Sequence, residues 1–150
     1  MHDTDITHFW CLFMKILVPT DGSSCALRAV KYAATLRPKP SVTLISVHDD
    51  VGLKHLKKFM PKGTVSDYLR EQSDKELKSA RAVLDKVGVP HDIIIKTGHV
   101  AEEIAKAAKV GKYDLIVMGA KGRSILSDML VGSVAQRVLE ITKAPLTFIK

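Results

Sequence analysis

The chain has only two cysteines, Cys11 and Cys25. A lone pair builds no disulfide framework, and neither sits at a His/Cys spacing that would surround a zinc ion, so both read as free thiols. Aromatic residues make up only 5% of the 150 positions. None of them interleaves with basic residues as a stacking platform, so nucleic-acid binding is not expected. Long apolar runs are also lacking. The longest, Phe9 to Val18, is broken at Lys15 and falls short of the ~18 residues that cross a bilayer, so no membrane helix is expected. The first eight residues carry Asp3 and Asp5 but no Lys or Arg, and no small-residue cleavage site follows. A secretory signal is therefore not expected, and the protein is expected in the cytoplasm.

What is present is positive charge and apolar content. The formal net charge of +7 favours polyanionic partners: nucleic acid, an acidic membrane surface or a nucleoside triphosphate. It is not concentrated in a run of five or more basic residues, and the Lys and Arg from Lys75 to Lys86 alternate with acids as on a solvated helix face. At 46% apolar residues, the chain can bury one core, and a second domain would be cramped.

Five short β-rich runs stand out: Lys15 to Pro19, Val42 to Val47, Asp92 to Lys96, Asp114 to Met118 and Leu146 to Ile149. Most are continuously apolar, as strands covered on both faces of a parallel sheet are. Helical periodicity lies between them. Ser23 or Ser24 caps a first helix with Ala26, Leu27, Val30, Ala33 and Ala34 on one stripe, stopped by Pro38. A second runs from about Ser66 to Val87, with Leu77, Ala80, Leu84 and Val87 inward and Glu71/Lys75 and Asp74/Lys78 pairs outward. A third carries Val100, Ile104, Ala107 and Ala108 and ends at Gly111; a fourth carries Val134, Val138 and Ile141 ahead of Pro145. The segment from Asp49 to Val65 reads as a long structureless loop. A solvated insertion is preferred there over a lid bearing Lys54, Lys57 and Lys58.

Alternating strands and helices, joined by connections too long for hairpins, imply right-handed crossovers and an open, doubly wound α/β sheet with helices on both faces. Ligands of such sheets sit at the carboxyl ends of the strands where the winding reverses, which directs attention to the loops after Pro19, Val47 and Met118. The fourth strand runs into Gly119-Ala120-Lys121-Gly122-Arg123-Ser124, and Gly132-Ser133 opens the last helix. Taken singly, each glycine reads as a turn residue. Together they let backbone N–H groups approach an anion, while Ser133 offers a hydroxyl and the helix tip its positive end. Lys121 and Arg123 add charge. The sequence contains no G-x-x-x-x-G-K-[ST], and no G-x-G-x-x-G follows the first strand, so two commoner phosphate loops are excluded. Asp21 either accepts bonds from a ribose or caps the helix that follows.

Val18 to Ser23, together with G-x2-G-x9-G-S at Gly119, Gly122, Gly132 and Ser133, resembles the universal stress protein family, in its ATP-binding branch. The resemblance spans Met14 to Lys150 and leaves residues 1–13 as an extension before a 14–150 domain, with Met14 itself able to serve as the start. If the extension is real, Phe9, Trp10, Leu12 and Phe13 are expected to prolong the first strand or cover an edge. The resemblance implies an open five-stranded sheet of order 3-2-1-4-5, of the adenine nucleotide alpha hydrolase-like kind, and a homodimer paired through Leu146 to Ile149. It also implies that Pro19 and Val47 line an adenine pocket beside Thr20, that Asp21 meets the ribose and that Met118 lies beneath the base. Gly119, Gly122, Arg123, Gly132, Ser133 and Val134 would surround the phosphates of ATP, accompanied by Mg²⁺ because no cluster of Asp and Glu suggests a protein-made metal site.

The leading functional expectation is an ATP-dependent regulatory or stress-response module, which needs no catalytic group. The alternative is a slow ATPase or self-phosphorylating enzyme at the same site, which requires a base near the terminal phosphate. His48 and His99 read as surface residues rather than that base, and Ser124 and Ser127 as turn hydroxyls that could also accept phosphate.

Overall fold

The computed structural model describes residues 13–61, 63–123 and 130–150. Five strands, β1 (Met14–Pro19), β2 (Pro40–Asp49), β3 (His91–Gly98), β4 (Leu115–Gly119) and β5 (Leu146–Ile149), form one sheet of order β3-β2-β1-β4-β5. All four pairings are parallel. The helices are α1 (Ser24–Thr35), α2 (Asp50–Lys57), α3 (Thr64–Lys86), α4 (Val100–Gly111) and α5 (Ser133–Ile141). This is the open, doubly wound fold that the alternation of periods implies.

Strand parity divides the core. Side chains two apart on a strand share a face, so Ile16 and Val18 of β1 meet α1 and α3 through Ala29, Val30, Ala33, Leu77, Ala80 and Leu84. Leu17 points the other way, joining Ile45, Ile116 and Met118 against Ala101, Ile104 and Ala108 of α4 and Ala135 and Val138 of α5. β1 is central and buried from Ile16 to Val18, whereas β3 is an edge strand with Ile93 and Ile95 exposed. The apolar run at β3 thus marks a strand without marking a covered one.

The Asp49–Val65 stretch is not a structureless loop. β2 continues to Asp49, whose Oδ1 accepts the Val51 N–H at 2.9 Å, and α2 starts at once. Asp50 and Lys54 pair across one turn at 2.9 Å, and Leu53 is buried beneath. Gly52, a poor helix former in the first turn, and the shortness of the eight-residue helix hid it from periodicity. β2 is likewise longer than its apolar run, because its ladder with β3 extends from Val42↔His91 to Asp49↔Gly98. Among the described residues, no helix is long and apolar enough to cross a membrane. Cys25 is a buried free thiol. Cys11, Ser124, Ser127 and the extension up to Leu12 lie outside the described residues.

Candidate functional site

The sheet winds in opposite directions on either side of β1, and the carboxyl ends of β1, β2 and β4 open there on a cavity of about 490 Å³. This volume lies within the usual range for small-molecule sites, about 300–1,000 Å³. β1 delivers Pro19, and the turn after it delivers Thr20 and Asp21. The Thr20 N–H donates to Ile45 O at 2.9 Å, which fixes this turn to the neighbouring strand. Val47 enters from β2 and Met118 from β4, with Ile45, Val100 and Ile104 completing an apolar floor. Gly119, Gly122 and Arg123 form one wall; Gly132, Ser133 and Val134 form the next. All eleven residues singled out by the sequence therefore face one space.

The two glycine clusters meet because the ends of their connection are tied together. Gly132 N–H donates to Ala120 O at 2.6 Å, and Ala120 N–H donates to Ile149 O at 2.7 Å. Gly132, which has no side chain to cap it, is also the N-cap position of α5. The first-turn N–H groups of α5, which have no intrahelical acceptor, and its positive dipole end consequently lie at the cavity wall. A Cβ on Gly132 would make only ordinary contacts, 3.4 Å from Ala120 O and 3.8 Å from Gly122 N, so packing alone does not demand glycine there.

Gly119 has a packing reason to be glycine. A Cβ there would meet the backbone of Cys25 and Ala26 at 2.9 Å, because α1 packs directly on the end of β4. Asp21 is not the cap of α1. Ser23 is, its Oγ accepting the Ala26 N–H at 3.1 Å, while Asp21 Oδ1 accepts the Ser23 N–H at 2.9 Å one turn earlier.

Sequence reasoning missed Glu76, whose side chain is 8% exposed on the cavity wall and pairs with Arg123. It lies three residues after buried Ser73 and four before buried Ala80, which puts it on the inward face of α3. Asp49 and Lys121 also line the cavity. So does His48, whose Nε2 is 2.7 Å from Ser73 Oγ and 3.4 Å from Ser46 Oγ. His99 occupies the N-cap position of α4 and does not line it. Lys54, Lys57 and Lys58 also lie outside its walls. The bond from Lys54 holds the Asp50 carboxylate below its ordinary pKa, and the same contact raises the Lys54 ammonium.

The described residues thus form a doubly wound α/β protein with a switch-point cavity of small-molecule size, lined by an apolar floor, two glycine clusters and the amino end of α5. The universal stress protein family model matches residues 12–150, and the chain belongs to that family. It is similar to universal stress protein MJ0531 of Methanocaldococcus jannaschii, with 32% identity over 144 residues, covering 93% of this chain and 83% of that protein. The solved structure of MJ0577 from the same organism superposes with a TM-score of 0.80 at 30% identity, covering 93% of this chain and 96% of the other. An Arabidopsis thaliana family protein solved with AMP bound shares the fold at a TM-score of 0.63 and 17% identity, over 91% of each chain.

Proposed function

We propose that the cavity binds ATP, carried in with Mg²⁺, and that the protein is a nucleotide-dependent regulatory module of stress response. The observation that carries this reading is the juxtaposition of an apolar floor with the amino end of α5 across one cavity. A flat, apolar base fits Ile45, Val47 and Met118, while an anionic tail fits the cradle between Gly122 and Ser133. Pro19 and Thr20 are assigned to the base side of the cavity and Asp21 to the ribose; all three line it. Gly119, Gly122, Arg123, Gly132, Ser133 and Val134 are assigned to the phosphates. The AMP-bound relative of the same fold supports an adenine nucleotide as the ligand class.

Among the described residues, no group of three or more His, Cys, Asp or Glu side chains is placed to hold a metal ion. Mg²⁺ would therefore enter on the phosphates and lower their charge. No catalytic residue is assigned: His48 is engaged with two buried serines, Ser46 and Ser73. Occupancy would act through the Ala120–Arg123 wall and the tip of α5.

Two further assignments go with this reading. The domain is taken as residues 14–150, supported by a family match that starts at residue 12. The assembly is taken as a homodimer through β5, which pairs on one side with β4 and on the other with no strand among the described residues.

Native mass spectrometry of the gently purified protein tests these points together. The expected spectrum is a dimer retaining an adenine nucleotide. A monomer without ligand, combined with no thermal shift on adding Mg-ATP, would overturn the proposal.

A further inference from the structure

Glu76 and Arg123 form an unequal pair at the cavity mouth. Glu76 is fixed from behind: its Oε2 accepts the hydroxyl of Ser46, itself fully buried on β2, at 3.0 Å. Its Oε1 accepts from Arg123 Nη2, with Gln72 Nε2 at 3.5 Å. The Glu76 side chain is 8% exposed and that of Arg123 is 52% exposed, so the acid is the buried anchor and the base the solvent-facing partner. Gly22 makes room for the pair. Its backbone has φ +79°, and a Cβ there would stand 3.3 Å from Glu76 Cα and 3.5 Å from Arg123 Nη2. Both residues also line a second hollow of about 260 Å³ reached by Leu53 and Tyr68, so the ion pair forms part of the wall between the two spaces.

A guanidinium already bonded to a buried carboxylate is half-neutralised, and a phosphate must compete with that carboxylate for it. A partly exposed pair is weak enough for such competition to succeed. We propose that Glu76 is a positioning residue: by holding Arg123 at the mouth, it limits how strongly the site favours polyphosphate over unphosphorylated adenosine. This inference rests on the nucleotide reading above. With Glu76 charged, added phosphates gain fully from Lys121 and the tip of α5 but only in part from Arg123.

Affinities of the full chain for adenosine, AMP and Mg-ATP, measured by calorimetry for the parent, Glu76→Gln, Arg123→Ala and the double variant, test it. Glu76→Gln is expected to raise the ratio of Mg-ATP to adenosine affinity by about three- to tenfold. In the Arg123→Ala background, the same change should move that ratio by less than about twofold. An unchanged ratio in Glu76→Gln, in a protein that binds adenosine, overturns the inference and leaves the nucleotide reading standing. A rise of full size without Arg123 also overturns it, because Glu76 would then repel phosphate directly. A parent protein that binds none of the three ligands overturns both. Should Glu76→Gln fail to fold, the parent and Arg123→Ala still decide: because Arg123 is already engaged, its loss must lower the ratio by less than about tenfold, and a larger loss, the full value of a charge-assisted bond, overturns the inference.

Discussion

The Asp21 carboxylate occupies the space that a side chain on Gly122 would need: Asp21 Oδ2 lies 2.9 Å from where a Cβ would be built. Asp21 cannot easily yield, because its other oxygen holds the Ser23 N–H. Gly122→Val therefore forces the Ala120–Arg123 wall away from the first turn. Gly122 itself is exposed, so the expected outcome is a folded protein with Mg-ATP affinity reduced at least about tenfold, since loss of a single charge-assisted hydrogen bond is worth about 1.5–3 kcal/mol. Calorimetry reads this directly, and unchanged affinity would remove Gly122 from the proposed phosphate site.

Gly119→Ala should fail differently. The atoms that its methyl group would strike are the main chain of Cys25 and Ala26, at 2.9 Å, and no flexible side chain can move aside. Overpacking of this kind costs about 1–3 kcal/mol. For a domain of this size that lowers Tm by roughly 2–12 °C. A variant as stable as the parent would mean that α1 shifts freely on β4.

These two glycines illustrate how much was legible in the sequence. The sequence marked both as glycines that let the backbone approach phosphate, and the structure brings them with Gly132 and Ser133 to one cavity. Their separate partners were not legible, because Asp21 and Cys25 come from another connection and only the folded sheet brings them near. Strands buried on both faces, such as β1, announced themselves by composition. α2 did not, because an eight-residue helix with a glycine in its first turn leaves too little period to detect. Glu76 was hidden for a related reason: a carboxylate on a long charged helix looks solvated until Ser46 is seen behind it.

Lys54 provides a test of the lid idea. It is bonded to Asp50 within α2 and lies outside the cavity wall, so Lys54→Ala should leave Mg-ATP affinity unchanged within about twofold, a change below ~0.5 kcal/mol. The pH dependence of its local contribution has a definite sign. Asp50 is held below its ordinary 3.8, so the pair's contribution is present at neutral pH and is lost as pH falls through that lowered value. Lys54 is raised above 10.5, so the contribution is lost again only when pH climbs past that raised value. Hydrogen exchange of α2 amides in parent and variant should therefore differ similarly at pH 6 and pH 8. A difference that appears only on one side of neutrality would mean that another group governs α2.

Asp21 and Ser23 can be separated by what each lacks. Ser23→Ala removes the N-cap bond to Ala26 and is expected to cost about 0.5–2 kcal/mol of stability. Ser23 does not line the cavity, so adenosine affinity should follow the folded fraction and nothing more. Asp21→Ala removes the acceptor for the Ser23 N–H, a turn bond worth about 0.5–1.5 kcal/mol. It also strips the cavity of the carboxylate assigned to the ribose, so adenosine affinity should fall by about tenfold, equivalent to ~1.4 kcal/mol. Chemical denaturation and calorimetry on the same two variants give both numbers. If Asp21→Ala loses stability but keeps its full affinity, Asp21 serves the turn alone and the ribose must find its partner elsewhere on the cavity wall.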